Sequence, residues 1–220
     1  MNKYYEESLI NIKICGIKSV EIVDFLNNNF VNYFGLIFYE SSPRFVNLKE
    51  ADLLVKAAKN SNTKPVGVFV DYKIEKIQTY IDKLNLKYIQ LHGNEDNQYI
   101  KKLKHNNKLI VIKAIGISHK DDLKKLNNYN DADFFLFDYK PTKIKELPGG
   151  NAKSFDWNIL KELKSPKKWF LSGGINQINV NDALNILNPY GIDISSGVED
   201  NPGVKNINKI FDFLKTIRSK

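Results

Sequence analysis

The chain has 220 residues, 42% of them hydrophobic, and no linker, repeat or low-complexity block divides it, which predicts a single domain over 1–220 with about nine residues of N-terminal tail. The lone cysteine, Cys15, excludes an intramolecular disulfide, no apolar run approaches the ~18 residues needed to cross a bilayer, and Glu6 and Glu7 stand where a leader would be basic, so a cytoplasmic protein with no membrane partner is expected. The net charge of +8 raises nucleic acid as a partner, but only Arg44 and Arg218 among the 33 basic residues are arginines and the lysines are scattered over every predicted helix, so none is expected.

Apolar runs with strand character are predicted at 11–15, 34–38, 66–70, 88–92, 109–114, 134–138, 169–172 and 192–195. Between and after them, helical periodicity covers 20–28, 49–60, 74–84, 96–104, 121–127, 157–163, 179–187 and 206–217, the last with Ile207, Ile210, Phe211, Leu214 and Ile217 on one face. Eight strand-then-helix units demand parallel strands with right-handed crossovers, and they close most economically into a (β/α)8 TIM barrel, an α/β fold. An open doubly wound sheet is the competing arrangement, but Cys15-Gly16-Ile17 after the first strand lacks the G-x-G-x-x-G turn of a dinucleotide site. The longest intervals follow strands two and six, at 39–48 and 139–156, and in a barrel such loops stand on the catalytic face.

Two glycine-bearing segments, Leu171-Ser172-Gly173-Gly174-Ile175-Asn176 and Asp193-Ile194-Ser195-Ser196-Gly197-Val198, each close an apolar run before a helix. Small residues there leave backbone N–H groups pointing into open space, where an anion is held. Read singly, each is equally a turn or a cap; as a pair after strands seven and eight, Gly173, Gly174, Ser195, Ser196 and Gly197 predict one shared phosphate. Cys15, Arg44, His92 and Asp138 stand at or just past strand ends and would point at one mouth. Cys15 is alternatively a small buried hydrophobe, His92 equally a structural histidine, and Asp138, after four apolar residues, needs a partner or an altered pKa. Arginine is scarce here, so Arg44 marks a place where a planar fork is wanted. His92, His105 and His119 lack metal-binding spacing and no G-x-S-x-G elbow occurs, so no metal site is predicted. A phosphate site facing a thiol and a carboxylate suits proton transfer on a sugar phosphate. Alternation along the strands also points Lys13 and Asp193 inward on strands one and eight, neighbours in a closed barrel, and predicts that they pair. Strands one and six are not neighbours, so Cys15 and Asp138 should face each other without bonding.

Several segments, read in order, resemble phosphoribosylanthranilate isomerases: Lys13-Ile14-Cys15-Gly16-Ile17, Gly35-Leu36-Ile37-Phe38-Tyr39 with Ser42-Pro43-Arg44-Phe45-Val46, Val66-Gly67-Val68-Phe69-Val70, Gln90-Leu91-His92-Gly93, Phe155-Asp156-Trp157, the first glycine segment, and Asp193 to Glu199 with Pro202-Gly203. The resemblance implies an Amadori rearrangement of a small phosphoribosyl substrate by a monomer or homodimer. It implies Asp138 as general acid, Cys15 as general base, Arg44 on the anthranilate carboxylate, and His92 and Gly150 among the substrate-binding residues. No cofactor is implied, because an iminium intermediate is itself an electron sink. Two departures are visible, Asn151-Ala152 after Gly149-Gly150 where the family commonly has a small polar residue and glycine, and Tyr139 after the implied acid. Neighbouring phosphate barrels such as indole-3-glycerol phosphate synthase, and a non-catalytic phosphometabolite binder, are the competing readings; cysteine at the end of strand one argues against the synthase.

Overall fold

The alternation of short apolar runs with amphipathic segments folds, in a computed structural model describing residues 10–105, 108–141, 149–150 and 153–219, into eight parallel strands that close on themselves. The strands are β1 (Asn11–Cys15), β2 (Tyr33–Ile37), β3 (Lys64–Phe69), β4 (Tyr88–Leu91), β5 (Ile110–Ile117), β6 (Phe134–Tyr139), β7 (Lys168–Leu171) and β8 (Gly191–Ile194). Around them lie α1 (Val20–Asn28), α2 (Leu48–Ala57), α3 (Ile74–Leu84), α4 (Asn97–Lys104), α5 (Val180–Ile186) and α6 (Ile207–Arg218). β8 returns to β1 with Lys13 opposite Asp193, so the sheet has no edge and the doubly wound alternative is gone. The predicted tail, 1–9, lies outside the described residues, among which no helix is long and apolar enough to cross a membrane.

Helix starts are set by side chains that satisfy the first free N–H groups. Ser19 accepts from Ile22 N–H, Asn47 forms a reciprocal capping box with Glu50, Asp96 accepts from Tyr99 N–H, and Asn206 accepts from Lys209 N–H. Inside the barrel, Tyr33, Val66, Ile112, Leu136 and Phe170 form a buried plug toward the amino ends of the strands, with Tyr33 edge-on to Tyr88 and to Phe170. The larger apolar layer lies between sheet and helices, where Phe34, Phe69, Phe135, Phe137 and Phe213 are fully buried. The plug leaves the opposite, carboxyl end of the barrel open to hold a site.

Three elements depart from the sequence expectation. The segment predicted as a helix at 121–127 is a 3₁₀ helix over Lys120–Asn128. Its apolar residues, Leu123 and Leu126, are three apart, which suits three residues per turn, and Asp122 fixes its start by accepting from the N–H groups of Ser118 and His119. The helix predicted at 157–163 shrinks to a single 3₁₀ turn, Trp157–Leu160, capped by Asp156 and burying Leu160 alone. A hairpin of β9 (Glu199–Asn201) and β10 (Val204–Lys205) follows a 3₁₀ turn at Ser196–Val198. Strands of three and two residues are too short for periodicity to reveal.

Candidate active site

A cavity opens at the carboxyl ends of the strands, and Cys15, Arg44, His92, Asp138, Gly150, Gly173, Gly174, Ser195 and Ser196 all line it. Of the predicted catalytic and substrate-binding residues only Gly197 stands back. A side chain there would collide with the Ile175 carbonyl, so the two glycine segments lie packed one on the other.

Cys15 ends β1 almost fully buried in the cavity floor, and Gly35 makes room for it, since a Cβ at 35 would stand 2.5 Å from the sulfur. Beside it lies Lys13, with 0% of its side chain exposed, bonded to Asp193 at 2.8 Å and close enough to the Cys15 thiol for each charge to bear on the other. The pairing read from strand alternation is therefore present, and Ser172 Oγ donates to the second Asp193 oxygen at 3.3 Å. Burial opposes the Lys13 charge, but Asp193 and Cys15 outweigh it and hold the ammonium above the ordinary lysine value. Burial also pushes the Cys15 thiol up, and Lys13 and Lys205 pull it partly back.

Asp138 leaves β6 opposite this group and takes a partner, as its apolar strand required. His92 Nε2 lies 3.3 Å from Asp138 Oδ2, and Gln90 Nε2 lies 2.8 Å from His92 Nδ1, which places the imidazole proton on Nε2. The other Asp138 oxygen accepts from Tyr139 N–H at 2.7 Å. Tyr139 turns its ring under the Lys153 ammonium, 5.5 Å from the ring centre. Asn151 and Ala152 lie outside the described residues.

Arg44 is only 3% exposed and turns one edge of its guanidinium onto Glu199, with Nε to Oε1 at 2.9 Å and Nη2 to Oε2 at 2.7 Å. Half of the planar fork is thus already occupied by protein. Nη1 remains on the side of Gly150, where a Cβ would stand 2.5 Å away. At the opposite rim, Gly173 and Gly174 have φ of 84° and 64°, and a Cβ at 174 would meet the Lys153–Ser154 backbone at 2.6 and 2.7 Å. The Gly174 carbonyl is tied by the side-chain amides of Asn176 and Asn179, and no hydrogen bond among the described residues claims the N–H groups of Gly173, Gly174, Ser196 and Gly197. Gly173, Gly174 and Ser196 line the cavity, and Gly197 lies behind them against the Ile175 carbonyl. The Ser195 hydroxyl is turned away from it and donates to the Cys15 carbonyl at 2.9 Å.

Comparison with known proteins agrees with this geometry. Residues 12–216 match the family model described as N-(5'-phosphoribosyl)anthranilate (PRA) isomerase. The enzyme of that name from Rhizobium johnstonii is 41% identical over 210 residues, covering 94% of this chain and 93% of its own. The chain belongs to this family. Among PRA isomerases of known structure, the one from Thermotoga maritima superposes with a TM-score of 0.85 at 31% identity, covering 96% of this chain and all of that one. Another, with a TM-score of 0.82, 29% identity and the same coverage, was solved in complex with reduced 1-(o-carboxyphenylamino)-1-deoxyribulose 5-phosphate.

Sequence reasoning missed Gln90, Glu199 and Lys205. Gln90 was within reach, since it stands two residues before His92 and so shares its inward face. Glu199 sits in a segment quoted for its resemblance, and Lys205 carried no signal among so many lysines.

Proposed function

We propose that this PRA isomerase converts N-(5-phosphoribosyl)anthranilate to 1-(2-carboxyphenylamino)-1-deoxyribulose 5-phosphate, the Amadori step of tryptophan biosynthesis, with Cys15 as base and Asp138 as acid. The observation that carries the reading is the presence, in one cavity, of a thiol beside an ammonium, a carboxyl paired with an imidazole, an arginine and a corner of unclaimed N–H groups. The corner formed by Gly173, Gly174, Ser196 and Gly197 takes the phosphate, and the free edge of Arg44 takes the anthranilate carboxylate. Asp138 gives its proton to the ribose ring oxygen; the C1–O bond breaks and the anilino nitrogen supplies the electron pair that makes the iminium. The Cys15 thiolate then removes the proton from C2, and the C–H electrons form the C1=C2 bond and neutralise the nitrogen. Return of the proton from the Cys15 thiol to C1, with loss of the C2 hydroxyl proton to restore the Asp138 carboxyl, gives the ketone, so substrate and product are isomers and no external electron acceptor is consumed.

The His92–Asp138 pair suits an acid that must hold and release a proton. Gln90 Oε1 is buried without a hydrogen-bond partner among the described residues. A half-turn of that amide lets Gln90 Oε1 accept from His92 Nδ1–H, exchanges one unpaired atom for another, and leaves His92 Nε2 free to accept from a protonated Asp138. Two arrangements thus serve the two charge states. The reading places the protein in the cytoplasm, as a monomer or a pair of identical chains. Adding purified protein to N-(5-phosphoribosyl)anthranilate should abolish the anthranilate fluorescence at a rate proportional to enzyme. Unchanged fluorescence would refute the assignment.

A further inference from the structure

The hairpin β9–β10 has no part in the chemistry above, yet two of its charged side chains are almost fully buried against Arg44. Glu199 and Lys205 show side-chain exposures of 3% and 2%. Glu199 takes the Nε–Nη2 edge of Arg44, and Lys205 Nζ donates to the same carboxylate at 2.6 Å. Lys205 also reaches the Ser195 carbonyl at 3.1 Å and its hydroxyl at 3.2 Å, and that hydroxyl bonds the Cys15 carbonyl. The hairpin presses on the loop that carries Arg44, because Gly203, at φ 89°, leaves no space for a Cβ within 2.5 Å of the Pro43 carbonyl.

We propose that Glu199 and Lys205 are positioning residues that fix Arg44 for a carboxylate ligand and keep its site net positive. The inference rests on the reading of Arg44 given above. An arginine facing a cavity on a flexible stem must be immobilised before its fork can select a planar anion, and the bidentate contact to Glu199 does that. The same contact cancels the arginine's charge. Arg44 and Glu199 alone would offer an incoming carboxylate no net attraction, and Lys205, sharing Glu199 from the far side, returns the cluster to +1. Burial draws Lys205 down to about 8 while Glu199 opposes it, so the ammonium is present at neutral pH.

The test is calorimetric binding of reduced 1-(o-carboxyphenylamino)-1-deoxyribulose 5-phosphate and of the same molecule lacking the carboxyl group, to wild type, Glu199→Gln, Glu199→Asp and Lys205→Met. Wild type should prefer the carboxylated ligand about 10- to 100-fold, the worth of a charge-assisted contact. The preference should fall below about threefold in Glu199→Gln, where losing the bidentate brace on Arg44 outweighs the added positive charge, lie between in Glu199→Asp, and drop about tenfold in Lys205→Met. A role in folding alone would weaken both ligands equally, and an unchanged ratio overturns the proposal. Failure of both Glu199 variants to fold would make the pair purely structural and overturn it too. If wild type shows no preference, the reading of Arg44 itself falls, a result distinct from an unchanged ratio.

Discussion

Arg44 lines the cavity and Lys13 lies buried beside its floor, and their surroundings give these two cations different work. Lys13 is sealed between Asp193 and the Cys15 thiol, so its charge serves the base and no ligand can reach it without displacing that pair. Lys13→Met should therefore raise the pH at which kcat rises with thiolate formation, because burial then lifts the Cys15 pKa with less to oppose it; a pH–rate profile checks this. Arg44→Lys keeps the charge and loses the fork, so kcat/KM should fall by about 1–3 kcal/mol, mostly through KM. Both residues were visible in the sequence, Lys13 by alternation with Asp193 and Arg44 by the rarity of arginine. The partners of Arg44 were not, because they arrive on a hairpin too short for periodicity and from a lysine indistinguishable from 30 others.

At the level of elements, eight strands were legible because each is buried on both faces and reads as a continuous apolar run. The two 3₁₀ segments were not, since their departure from an α-helix is decided by polar anchors. Asp122 holds one of them through Ser118, His119 and the Lys140 ammonium at 2.6 Å. Asp122→Asn should cost about 1–3 kcal/mol in chemical denaturation with kcat nearly unchanged. A second anchor braces the cavity rim. Lys113 and Glu95 pair at 2.9 Å with 2% and 1% exposure; Lys113 donates to the Gly93 carbonyl, and Glu95 accepts from the N–H groups of Asp71 and Gly93. Glu95→Gln leaves a buried ammonium unpaired, so a loss of about 3–5 kcal/mol is expected, measured as a shift in denaturant midpoint.

Across the whole molecule, buried ion pairs set how stability follows pH. Asp122 and Glu199 are both held below their ordinary values: burial opposes their charge, and Lys140 for the one, Arg44 and Lys205 for the other, prevail. Their contribution is present above the unfolded values of 3.8 and 4.5 and is lost as pH falls below them. Lys13, held above 10.5, contributes below that value and loses its contribution as pH rises past it. Tm should therefore fall on the acid side below about pH 4 and on the alkaline side above about pH 10.5. The acid fall should be shallower in Asp122→Asn. The barrel is closed and its plug leaves the carboxyl end free for chemistry; Cys15 and Asp138 line the cavity there, and the proposed mechanism makes them base and acid. The decisive measurement is kcat for Cys15→Ala beside its affinity for reduced 1-(o-carboxyphenylamino)-1-deoxyribulose 5-phosphate. A loss of about 10²–10⁴ in kcat with affinity kept within about threefold is expected. A Cys15→Ala protein that retains most of its kcat would show that another group takes the C2 proton.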